Sequence, residues 1–114
     1  DQGWRLEIKS LPRLTEVGAW RAPRVGQWWQ RAPQQPGEET TYGGFYTQED
    51  VKEVLAYAAE RYVRVIPEID VPGHSLAALV AYPDLACMKA PSAVGVGNKF
   101  YDENTLCVGK VWHL

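Results

Sequence analysis

Hydrophobic and polar positions divide the chain into an extended opening, a long irregular stretch and a helix–strand–helix run. In "DQGWRLEIKSLPRL", Trp4, Leu6 and Ile8 alternate with Arg5, Glu7 and Lys9, so the segment reads as a short strand or extended piece with one buried face. "LPRLTEVGAW" follows as a short helix or irregular turn ending near Gly18. Residues 21–44 lose the periodicity. They hold Pro23, Pro33 and Pro36 with Gly26, Gly37, Gly43 and Gly44, which predicts a long loop. Loops of this length in compact domains tend to be functional rims or lids. A mobile insertion is the other reading for most of its residues, Trp28 and Trp29 included.

Helical spacing returns in "YTQEDVKEVLAYAAERYV", where Val51, Val54, Leu55, Ala58, Ala59 and Tyr62 share one face. Thr47 has the chemistry of an N-cap, and Gln48, Glu49 and Asp50 suit the positive end of the helix dipole. The pattern predicts a helix over 48–62. "VRVIPEID", residues 63–70, is rich in β-branched side chains and reads as a buried strand. Alternation puts Val63, Val65, Pro67 and Ile69 on one face and Arg64, Ile66, Glu68 and Asp70 on the other. "PGH" turns the chain over 71–74, and "SLAALVAYPDL" begins a second helix near Ser75. A helix, a strand ending in polar residues, a tight turn and another helix predict the α/β class with parallel strands.

That order gives the polar residues a place. Parallel α/β folds set their active sites at the carboxyl ends of the strands, where Asp70 stands. Glu68 and Asp70 would point into a closed barrel, where lone charges are costly, so partners or a substrate cavity are expected. Gly73 permits a sharp bend and a close approach by a ligand or neighbouring chain. His74 follows Asp70 by four residues. A carboxylate bonded to one imidazole nitrogen fixes the ring's tautomer and orientation. The plainer alternative is that Asp70 caps the next helix and His74 is a surface residue; an Asp-x-x-x-His pair alone does not separate the two.

Composition changes the picture only at the margins. At 114 residues with 46% hydrophobic and 23% charged side chains, the chain is one small domain and wholesale disorder is excluded. Twelve basic against fourteen acidic residues, net charge -2, give no electrostatic basis for a nucleic-acid or anionic-membrane partner. The longest apolar run is far short of a membrane span. Five Trp and six Tyr suit either a sugar site or ordinary packing. Cys87 and Cys107 flank a Gly-, Pro- and Asn-containing stretch and read as a loop disulfide in an oxidising compartment or as two structural thiols; two Cys make a poor metal site. The chain opens on Asp1 rather than Met, so a processed or truncated start is expected.

"VIPEIDVPGHSLAAL" with the following "AYPDLAC" closely resembles the third strand and loop of family 20 β-N-acetylhexosaminidases, with their Pro-Glu-x-Asp-x-Pro-Gly-His motif. "DQGWRLEIKSLPRLTEVGAWR" resembles the segment leaving the second barrel strand of the same enzymes. "YGGFYTQEDVKEVLAYAAERY" resembles the intervening helix, and "NKFYDENTLCVGK" the stretch before the fourth strand. The similarities run in the family's order and weaken over 21–41, over 88–97 and in the closing "VWHL".

The resemblance implies a partial (β/α)8 barrel, roughly strands 2–3 with their helices and loops, spanning 1–114. It implies hydrolysis of terminal β-linked N-acetylhexosamine with retention, by substrate-assisted chemistry. The sugar's 2-acetamido oxygen attacks the anomeric carbon, an Asp orients the acetamido group, and a neighbouring Glu protonates the leaving oxygen. No metal or organic cofactor is implied. Expected partners are N-acetylhexosamine-terminated glycans or chitooligosaccharides, with the rest of the barrel needed for a stable fold. The expected location is periplasmic or extracellular in a bacterium.

Carried over by position, Asp1 matches an active-site carboxylate, His74 a histidine near the general acid, and Asp70 the carboxylate that orients this histidine. Glu68 matches a buried structural position, and Trp4 and Arg5 match positions of packing and ion pairing. The family's catalytic Asp-Glu pair follows its fourth strand and is not found in these residues. Asp102-Glu103 is a decoy in a polar stretch with no apolar strand before it. A non-catalytic sugar-binding or remnant α/β module is the alternative.

Overall fold

A computed structural model describes residues 3–27, 30–88, 90–91, 93–94 and 105–110. The opening segment is extended as its alternation predicts, and Trp4 and Ile8 pack against the core. It forms a single parallel bridge, Leu6 to Tyr46, with Glu7 N–H donating to Tyr46 O and Tyr46 N–H to Arg5 O. Helix α1, Arg13–Glu16, follows within the expected range. Gly18, just beyond it, is buried, and a Cβ there would lie 2.5 Å from Leu14 O and 3.0 Å from Ala77 O. Only glycine lets these two backbones approach so closely.

The long loop is more organised than its composition suggests. Strand β1, Trp20–Arg21, pairs antiparallel with β2, Tyr42–Gly43, and so closes the loop at its base. Arg21 lies over the Tyr42 ring at 5.0 Å. Within the loop, the Arg24 guanidinium makes a two-pronged ion pair with Glu38, and its Nε donates to Ala32 O at 3.0 Å. Glu38 also accepts from Gln35 N–H, and Gln34 Oε1 accepts from Ala22 N–H. Trp28 and Trp29 lie outside the described residues.

Helix α2, Gln48–Ala59, is shorter than the expected 48–62. Its start follows the sequence: Thr47 Oγ1 accepts from Asp50 N–H while the Asp50 carboxylate accepts from Thr47 N–H, a reciprocal capping box. Glu7 adds a second carboxylate there, accepting from Gln48 N–H at 2.9 Å. The helix ends because Tyr62 turns left-handed at φ 57°, with Tyr62 N–H donating to Ala59 O and Val63 N–H to Ala58 O. These are the paired bonds of a Schellman ending, with tyrosine in glycine's usual place.

The segment 63–70, expected as a buried strand, has no strand partner among the described residues. Every residue of it is exposed, including Val63, Val65, Ile66 and Ile69. A parallel strand needs neighbours on its edges to take its N–H and C=O groups and to bury its faces. The expected apolar face of α2 is likewise uncovered at Val54 and Leu55; only Ala58 is buried.

The core forms elsewhere. Helix α3, Leu76–Ala81, begins after Ser75 as expected, and a 3₁₀ turn over Pro83–Leu85 replaces its predicted continuation. Ala78, Leu79, Ala81, Leu85 and Ala86 meet Leu14 and Leu106 in one buried cluster. Arg13 Nε donates to Ala81 O at 2.8 Å, joining α1 to the end of α3.

Candidate active site

Asp70 and His74 come together at the turn joining 63–70 to α3. His74 Nδ1 lies 3.3 Å from Asp70 Oδ2, and both side chains are 57% exposed. An exposed pair of this kind adds little stability, so its consequence is orientation: the carboxylate holds the imidazole in one attitude. The turn contains a cis Val71–Pro72 peptide, and its left-handed residue is His74 at φ 51°. Gly73, expected to permit a close approach, faces open space; a Cβ there would meet nothing within 4 Å. The conformational demand therefore falls on His74. Left-handed backbone at a non-glycine residue persists where surrounding structure imposes it, and such residues concentrate at active sites. Here the imposing structure is α3: Ser75 is buried, its hydroxyl donates to Gly73 O at 2.9 Å, and the next residues are locked in the core.

Opposite the pair stands the opening segment. Gly3, Trp4, Arg5 and Leu6 line one wall, and Glu68, Ile69, Asp70 and His74 the other, of a cleft of about 240 Å³. The Trp4 indole donates to Leu6 O at 2.6 Å, which fixes that wall locally, and its ring packs on the core. Arg5, expected to form an ion pair, instead donates from Nη1 to Ala19 O at 2.8 Å and Gly44 O at 2.7 Å. It clamps both strands of the β1–β2 pair beside the cleft. Glu68, expected to be buried, is exposed on the cleft wall. Asp1 and the Asp102-Glu103 dipeptide lie outside the described residues.

The cysteines are settled as a disulfide, Cys87–Cys107. Among the described residues no three His, Cys, Asp or Glu side chains gather as a metal site, and no helix is long and apolar enough to cross a membrane. One positioning contact had no signal in the sequence: Leu106 N–H donates to Pro72 O at 2.8 Å, tying a distant stretch to the turn that bears His74.

The relatives of the chain give its family. "Glycosyl hydrolase family 20, catalytic domain" matches residues 1–111. The chain belongs to glycosyl hydrolase family 20. It is 48% identical over 106 residues to a beta-hexosaminidase of Vibrio furnissii, covering 93% of this chain and 17% of that protein. An N,N'-diacetylchitobiase of Vibrio harveyi is 46% identical over 84 residues, 71% of this chain and 10% of the relative. Among solved structures, a mutant Streptomyces plicatus beta-hexosaminidase in complex with product, GlcNAc, superposes with TM-score 0.72 at 39% identity, over 98% of this chain and 19% of that one. The chain thus spans less than a fifth of the length of these relatives.

Proposed function

We propose that the chain is part of a retaining β-N-acetylhexosaminidase that removes terminal β-linked N-acetylhexosamine. The observation that carries this reading is the Asp70–His74 pair on the cleft wall, within a sequence so similar to beta-hexosaminidases. In this reading residues 63–70 are the third strand of a (β/α)8 barrel, 71–74 its active-site loop, and the chain supplies roughly two of eight βα units. The remaining units cover the exposed apolar side chains of 63–71 and α2.

The reaction proceeds through an oxazolinium intermediate. The substrate's acetamido oxygen is the nucleophile, and the catalytic Asp-Glu pair lies outside this chain. Asp70 orients His74, and His74 supports the protonation state of the general acid. Asp1 contributes a further carboxylate to that network. The chemistry calls for no metal, since the substrate supplies the nucleophile and the enzyme's carboxyl groups handle proton and charge. The relative named N,N'-diacetylchitobiase favours chitooligosaccharides among the substrates. The disulfide suits the periplasm or the outside of a bacterial cell, because disulfides form and persist in oxidising compartments and are rare in the cytosol.

The test is hydrolysis of a p-nitrophenyl β-N-acetylglucosaminide by the full-length polypeptide, with the product anomer followed by NMR. Release of the β-anomer first, with kcat falling about tenfold to a hundredfold in His74→Ala, is the expected result. No hydrolysis, or initial release of the α-anomer, overturns the reading.

A further inference from the structure

The turn that bears His74 is held at both ends. On its far side α3 enters the core directly after Ser75. On its near side the only described backbone donor to the turn from a distant segment is Leu106, whose N–H meets Pro72 O at 2.8 Å. Leu106 is itself fixed three ways. Its side chain is buried in the core cluster, it bridges antiparallel to Ala86, and the next residue, Cys107, donates N–H to Leu85 O at 2.8 Å. The disulfide then joins Cys107 to Cys87, the residue after Ala86. Lys110 closes the arrangement, with Nζ on Ala86 O at 2.7 Å and N–H on Cys107 O at 2.8 Å.

We infer that the Cys87–Cys107 disulfide and the Leu106 strap it locks are a positioning device for His74. The inference rests on the hexosaminidase reading of that residue. Ser75 and Leu106 bracket a turn whose own side chains do little to fix it: His74 pays a left-handed backbone cost, Gly73 has no side chain and is held through its carbonyl by Ser75, and Val71 and Pro72 are exposed. Without the disulfide, the stretch carrying Leu106 keeps its buried side chain, one bridge, its backbone bonds and the Lys110 contact, but loses its covalent tie to the residue after Ala86. Pro72 O then loses its fixed donor, and the backbone that sets His74 against Asp70 shifts. Within this chain Cys87 is exposed and Cys107 half-buried. Cys87 and Cys107 act here through Leu106 and Pro72; they are positioning residues and touch no reacting atom.

The experiment uses the full-length polypeptide, oxidised, reduced with a phosphine, and as the Cys87→Ser/Cys107→Ser double variant, each with and without His74→Ala. Steady-state kinetics on an aryl N-acetylglucosaminide are read beside the ¹³Cε1 resonance of His74 in histidine-labelled protein. Losing the disulfide should lower kcat by about tenfold, within the range that small misplacements cost, leave KM nearly unchanged, and shift the His74 resonance. In the His74→Ala background it should lower kcat no further, because residues acting through one contact are non-additive. Reoxidation should restore rate and resonance together. Equal losses in both backgrounds, or an unmoved His74 resonance in reduced protein that keeps its circular dichroism, overturns the inference. Loss of the circular dichroism on reduction overturns it too, since the disulfide is then a general staple. If the oxidised protein hydrolyses nothing, the hexosaminidase reading fails, and the resonance alone still decides whether the strap positions His74.

Discussion

His74 shows how a single residue can be chosen by a motif and placed by its surroundings. Its partner was legible from the Pro-Glu-x-Asp-x-Pro-Gly-His resemblance rather than from the spacing alone, and the 3.3 Å separation agrees. Its left-handed backbone was not legible, because Gly73 beside it has the intrinsic preference for that region. Asp70→Asn keeps the shape but removes the charge that favours one ring attitude. Kinetics on an aryl N-acetylglucosaminide should show kcat lowered by about tenfold with KM little changed; an equal rise in KM instead would place Asp70 in substrate binding. Glu38 gives a second prediction at this scale. The side-chain bonds from Arg24, then the Gln35 N–H, hold its carboxyl down to about 2, below the usual 4.5. A lowered pKa favours the folded loop above the unfolded carboxyl's value, and that contribution is lost as pH falls from about 4.5 towards 2. Amide exchange at Gln35, corrected for intrinsic pH dependence, should accelerate over that window; flat protection would remove Glu38 as the loop's anchor.

Among the elements, α2 was the most legible. Thr47 and Asp50 announce a capping box in the sequence, and the structure has both of its bonds. Thr47→Ala should destabilise the helix by about 1 kcal/mol, read as a lower thermal midpoint of the 222 nm signal. The other end was hidden, since the apolar spacing runs on to Tyr62 while the backbone has already left the helix. Tyr62 is fully exposed at 100%, so replacing it forfeits no packing. Tyr62→Gly should stabilise this ending by about 0.5 kcal/mol, the left-handed cost less glycine's greater unfolded entropy. The opposite change is expected at Gly18. Gly18→Ala sets a methyl against the backbones of Leu14 and Ala77 and should cost roughly 1–3 kcal/mol by overpacking, measured as a drop in unfolding midpoint. The β1–β2 pair had no readable signal, because two-residue strands show no alternation and their partners are joined by a long loop.

For the molecule as a whole, surface area is the informative quantity. The chain exposes 8416 Å². A compact monomer of 12.8 kDa exposes about 6,300 Å². Its radius of gyration, 15.4 Å, also exceeds the roughly 13 Å of a compact domain of this length. The excess includes apolar surface: Val54, Leu55, Ile66, Ile69 and Val71 are all at least 42% exposed. The chain on its own should therefore bind a hydrophobic dye such as ANS and self-associate as concentration rises, both checked by fluorescence and light scattering. A sharp, reversible thermal transition from a dilute, dye-free monomer would count against the barrel reading.

By itself the sequence determined what short-range chemistry dictates: the capped start of α2, the turn at 71–74, the Asp70–His74 pair and the family to which the chain belongs. Each depends on residues within a few positions of one another or on a motif carried in order. Tertiary structure alone decided that Arg5 clamps carbonyls rather than a carboxylate, that Arg24 and Glu38 fasten the long loop, and that Leu106 holds the turn of His74. It also decided that 63–70 stays exposed, because a strand's burial belongs to its neighbours and not to its own residues. These contacts join positions far apart in the chain, through backbone carbonyls and N–H groups that every residue carries alike.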